Sequence, residues 1–110
     1  MFNSRKKNDR DLDVPREVEN DPNAREVLRA WVANGGLVCA LRPETWPEAS
    51  NWGIVLADVA RHVANAVRDL KGDEPAVTVE KIRKLFNAEL AGPTDEPTAI
   101  SKSRCCYEQD

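Results

Sequence analysis

Residues 21–42 read Asp21-Pro22-Asn23-Ala24-Arg25-Glu26-Val27-Leu28-Arg29-Ala30-Trp31-Val32-Ala33-Asn34-Gly35-Gly36-Leu37-Val38-Cys39-Ala40-Leu41-Arg42. How this stretch divides decides the fold. Asp21 can accept a hydrogen bond from a free amide of a first helical turn, and Pro22 sits where a missing N–H costs nothing. Ala24, Val27, Leu28, Trp31 and Val32 then recur at intervals of three and four, with Arg25, Glu26 and Arg29 between them. Asn34-Gly35-Gly36 ends the run, because Asn and Gly readily take the left-handed conformation of a helix cap. This spacing predicts a helix over 22–34. Leu37 to Arg42 is short, apolar and closed by Pro43, which predicts a strand over 37–42. Leu37, Cys39 and Leu41 share one face and Val38 and Ala40 the other, so the strand needs cover on both sides.

Downstream, Pro43 to Ser50 holds Pro43 and Pro47 and reads as a loop. Ser50 or Asn51 can cap a helix over 51–71. Trp52, Val55, Leu56, Val59, Val63, Ala66, Val67 and Leu70 form its apolar stripe, with Arg61, Asn65, Arg68 and the lone apolar Ile54 opposite. Gly72, Asp73, Glu74 and Pro75 end it. Thr78 can cap a third helix over 79–91, striped by Val79, Ile82, Leu85, Phe86 and Leu90, with Glu80 and Lys84 as an i,i+4 pair. A short strand at Ala76 to Val79 is the alternative. The expected fold class is α+β, three helices packed on a small sheet containing strand 37–42. A single strand leaves backbone groups unpaired. Its partner could be Leu12-Asp13-Val14, the tail near Ala99-Ile100, or the same strand of a second subunit. That shortage, with a core of marginal size, makes a homodimer one expected possibility.

Composition sets the bounds of this reading. The chain has 110 residues, a net charge of -3 and 32% charged side chains, enough for one domain. Residues 1–21 carry five basic and six acidic groups, whereas residues 22–92 balance nine against nine and hold all three tryptophans. We therefore expect a disordered charged arm over 1–20, a globular domain over 21–92 and a disordered tail over 93–110. A neutral centre argues against nucleic acid, since phosphate binding needs a basic surface. No apolar run approaches the ~20 residues of a membrane span, and the charged N-terminus lacks the apolar core of a secretory signal. Three cysteines, two of them adjacent (Cys105 and Cys106), make a poor disulfide framework. The expected location is the reduced cytoplasm, with Cys39 as a small core residue.

Candidate chemistry is sparse. Asp58 and His62 lie four apart on the long helix, where a carboxylate can orient and charge an imidazole for general-base work. The plainer reading, a boundary histidine paired with a surface carboxylate, is the one favoured, since a lone two-residue pair is a weak signal. A zinc site would need about four ligands at tight spacings, and no CxxC occurs, so no metal or cofactor is expected. Gly35-Gly36 lacks the Lys and Ser/Thr of a phosphate loop. Trp31, Trp46 and Trp52 could gather near one end of the strand beside Arg42, where aromatic rings and a cation would bind a planar or anionic ligand. Core packing accounts for Trp31 and Trp52 without a ligand.

One resemblance spans about residues 21–97. It is carried by Asp21 through Trp31 and by Gly35-Gly36-Leu37, Leu41-Arg42-Pro43 and Trp52-Gly53. It continues in Leu56-Ala57-Asp58-Val59-Ala60-Arg61-His62, Phe86-Asn87-Ala88-Glu89 and Pro93-Thr94-Asp95. In these the chain resembles a family of small, uncharacterised bacterial proteins grouped as a domain of unknown function. The resemblance implies a compact intracellular domain with no assigned activity. The functional expectation is a non-enzymatic binding or accessory domain that contacts another protein. The alternative is a small-molecule site near Arg42, Trp46 and Trp52, with or without chemistry at Asp58 and His62.

Overall fold

The computed structural model describes residues 10–92 and 103–107. In chain order the elements are α1 (Arg16–Glu19), β1 (Leu28–Ala33), β2 (Gly36–Leu41), α2 (Asn51–Lys71), α3 (Pro75–Ala91) and β3 (Ser103–Tyr107). The α+β class expected from the sequence is what forms. Close packing between elements joins β1 to β2, β2 to β3 and α2 to α3.

The helix expected over 22–34 is not there. Leu28–Ala33 is a strand, paired antiparallel with β2 from Leu28↔Leu41 to Ala33↔Gly36. Between them Asn34 and Gly35 both have positive φ, 54° and 76°. This is the two-residue turn whose twist matches that of paired strands, and Asn-Gly is its preferred sequence. The three residues read as a helix stop are therefore a hairpin turn. Upstream, the Asp21 side chain does accept an amide hydrogen bond, but from Asn23 at 2.9 Å. The Ala24 amide donates to the Asp21 carbonyl at 3.0 Å, closing a tight turn where a helix would begin. A helix of some thirteen residues is marginal in water, and Leu28, Ala30 and Val32 also alternate at strand spacing. Pairing with a neighbouring apolar strand outweighs the helical spacing.

The strand expected over 37–42 forms one residue earlier, at Gly36–Leu41, and is the central strand of the sheet. Its partners are β1 on one side and β3, running parallel from Leu37↔Ser103 to Leu41↔Tyr107, on the other. The tail supplies one partner, through Ser103–Tyr107. Leu12 to Val14 are not in a strand, Ala99 and Ile100 lie outside the described residues, and both edges of β2 are filled, which removes the route to a second subunit through this strand. Single-turn α1 lies in the stretch expected to be a disordered arm, and β3 in the expected tail.

α2 spans the expected residues and ends at Gly72, φ 81°. α3 begins at Pro75, four residues before its expected start, because proline at the first helical position gives up an N–H that has no partner there. Ala76 to Val79 are accordingly helical rather than extended. Glu80 pairs with Arg83 at 3.4 Å rather than with Lys84. Ala64 is fully buried on α2, and Ala60 and Val67 beside it are half-buried, as are Pro75, Thr78, Val79 and Ile82 of α3. These small and β-branched residues form the seam of a helical hairpin.

Candidate functional site

Two of the three tryptophans meet. The loop after β2 folds back on the start of α2, setting Trp46 edge-on to Trp52 with ring centroids 5.5 Å apart and planes at 81°, a favoured aromatic geometry. The Trp52 Nε1–H donates to the Pro43 carbonyl at 3.2 Å. The Thr45 hydroxyl donates to the Arg42 carbonyl at 2.7 Å, so the corner is stitched by its own polar groups. Trp31 stands apart on β1, half-buried, with the Arg29 guanidinium 5.6 Å from its ring centroid. Arg29 also bonds Glu26 at 2.7 Å, and that hydrogen bond together with the carboxylate's charge holds Arg29 above its ordinary pKa.

Arg42 is directed to the strands rather than to the tryptophan corner. Its amide donates to the Val27 carbonyl at 3.0 Å, extending the ladder, and its Nε reaches the Glu26 carbonyl at 3.5 Å. It lines a shallow cavity of about 290 Å³ with β1 residues and Leu41. A larger cleft of about 470 Å³ lies between β1 and residues 10–18. Trp46 and Trp52 line neither.

Asp58 and His62 are both exposed on α2, and the Asp58 carboxylate accepts from Arg61 Nη1 at 3.3 Å. No group of three or more His, Cys, Asp or Glu among the described residues is placed to hold a metal ion. Cys39 is buried and disulfide-bonded, opposite Cys105 in the β2–β3 register, whereas Cys106 is a free, exposed thiol. The cysteines expected to make a poor disulfide framework thus include one that is bonded; parallel pairing brings the tail strand against β2, which spacing along the chain does not reveal.

The most extensive feature is apolar. Cys39 and Ala64 are the only buried hydrophobic side chains among the described residues. On α2 the expected stripe is divided. Val55, Ala60 and Val67 are partly covered, but Leu56, Val59, Val63 and Leu70 remain 41%, 47%, 44% and 84% exposed. With Ala66 these residues recur at intervals of three and four, the a/d spacing by which one helix packs into another. Sequence reading found the stripe. α3 covers only one side of it.

No helix among the described residues is long and apolar enough to cross a membrane. Residues 11–94 match the family model described as a domain of unknown function, DUF5076. A solved structure from the photosynthetic bacterium Rhodopseudomonas palustrus CGA009, provisionally named a pyruvate dehydrogenase, is similar at 37% identity and a TM-score of 0.62. The match covers 79% of this chain and 89% of that one. No curated protein matches.

Proposed function

As the chain belongs to the family of the domain of unknown function DUF5076, its role is read from its own surfaces, and we propose that it is a non-enzymatic protein-binding or accessory domain. The observation that carries this reading is the uncovered half of the α2 stripe. Four large aliphatic side chains in a row on a rigid 21-residue helix form a surface of the kind that marks a protein contact. The folding unit on this reading is 21–92, with 1–20 and 93–110 as flanking arm and tail. A cytoplasmic setting belongs to the same proposal.

The test is the mass of the full chain, drawn gently from its host and measured by light scattering after size exclusion. Wild type is expected above monomer mass, whether with itself or with another protein. Val63→Glu is expected at monomer mass with an unchanged far-UV circular dichroism spectrum. A wild-type chain that is folded, melts cooperatively and stays monomeric overturns the reading.

A small-molecule site near Arg42, Trp46 and Trp52 is the second reading, favoured by the edge-on contact of the two indoles. A bound planar anion would shift tryptophan emission in wild type and not in Trp46→Ala. Unshifted emission across a panel of planar anions removes this reading.

A further inference from the structure

We infer that Cys39 and Cys105 form a redox latch, a disulfide whose reduction releases the C-terminal strand β3 from β2. The latch works on the sheet and does not depend on a partner for the α2 stripe. The chain has three cysteines. Cys39 is bonded and Cys106 is free, so elimination leaves Cys105 as the other half. The ladder agrees, since Cys39 and Cys105 are Cα partners in the β2–β3 register.

Two features make this bond a latch. The first is how little else holds the strand. β3 has five residues and packs closely on no element but β2 among the described residues. A parallel ladder is less stable per residue than an antiparallel one, and a short terminal element opens readily. The bond supplies what the ladder lacks by closing a long loop of chain, which keeps the tail beside β2. The second feature is the compartment. In the cytoplasmic setting proposed above, a protein disulfide is usually transient and either catalytic or redox-sensing.

A dithiol reductant opens the latch in two exchanges. Cys39 is buried, 6% exposed, so the reductant's first thiolate attacks the tail sulfur, forms a mixed disulfide with Cys105 and displaces Cys39 as a thiolate. The reductant's second thiol then displaces Cys105 and closes the reductant's own disulfide. One S–S bond is lost and one is gained, and two electrons and two protons pass to Cys39 and Cys105. Cys106 takes no part, because neighbouring side chains of a strand point to opposite faces.

Release bares one edge of β2. The Arg42 amide donates to the Val27 carbonyl, and hydrogen-bonded pairs alternate along an antiparallel ladder. The amides of Val38 and Ala40 therefore face β1, and those of Leu37, Cys39 and Leu41 face β3. This alternation provides the readout. The experiment is amide hydrogen exchange, followed by NMR, on the full-length chain carrying Cys106→Ser, in which Cys39 and Cys105 are the remaining cysteines. After air oxidation no thiol should titrate, and excess dithiothreitol should free both. On reduction, Leu37, Cys39 and Leu41 should exchange at least about tenfold faster, while Val38, Ala40 and Ala64 change little. Adding Cys105→Ser should give the same fast exchange without reductant. Free thiols after oxidation, or a bond that resists dithiothreitol in the folded chain, overturn the latch. So does exchange that is unmoved by reduction, or that rises equally in the sheet and in α2, which would make the bond a staple of the whole fold.

Discussion

The two hairpins of this protein reverse the chain with similar means and end in opposite states of cover. The β1–β2 turn uses Asn34 and Gly35 at positive φ, and the α2–α3 turn uses Gly72 at φ 81°. In the sheet, the strand with apolar side chains on both faces becomes the central strand, with Gly36 and Cys39 buried. In the helical pair, one seam is closed around Ala64 and an adjacent apolar stripe stays open. A strand completes its backbone hydrogen bonds only by acquiring neighbours, so β2 gathers them within its own chain. A helix satisfies its backbone internally and can leave a side-chain face for another molecule. Surface available for binding therefore collects on the helices.

This contrast can be broken at several points. Ala64→Leu puts three extra carbons into a side-chain site with no exposure and should destabilise by about 2–3 kcal/mol, read from urea melts. The same change at exposed Ala66 should be neutral for folding. A neutral result at Ala64 would mean that the helical seam is as open as the stripe. Next in size, Gly35→Val forces a β-branched residue to φ 76°, at about 2 kcal/mol. Gly72→Ala meets nothing within 4 Å and should cost only about 1 kcal/mol, all of it conformational. Equal costs at the two glycines would show that the sheet turn is no more demanding than a helix cap. Trp52→Phe removes the hydrogen bond to the Pro43 carbonyl and should cost about 1 kcal/mol, visible as a lower melting temperature. Smallest of all, Arg29→Gln should leave the melting temperature unmoved, because the Glu26 pair is solvent-exposed. Glu26 raises the Arg29 pKa further, so this stabilisation is present below that pKa and would be lost only at strongly alkaline pH. A melting temperature that tracks pH through Arg29 near neutrality would contradict the assignment.

Legibility followed the range of the determining interaction. α2 could be read to the residue because its stripe, its Ser50-Asn51 entry and its Gly72 exit are all local. Stretch 24–33 carries two periodicities at once, and its upstream Asp-Pro suited a helix. The decisive signal is Asn34-Gly35 between two largely apolar segments, a hairpin mark that the helical spacing masks. At the candidate sites, the meeting of Trp46 with Trp52 followed from a loop folding back onto the start of a helix. The separation of Arg42 and Trp31 from that corner depended on β1 being a strand, so it could not be seen while β1 was read as helix.

By itself, the sequence determined the α+β class, the extent of α2, the apolar character of β2 on both faces and the lack of any metal-ligand motif. These rest on spacing within a few residues, where side-chain period and backbone geometry are coupled directly. Only the tertiary structure decided that Leu28–Ala33 is a strand, that residues 103–107 flank β2, and which half of the α2 stripe α3 covers. Those outcomes depend on pairing energies between segments far apart in the chain, and local periodicity carries no record of them.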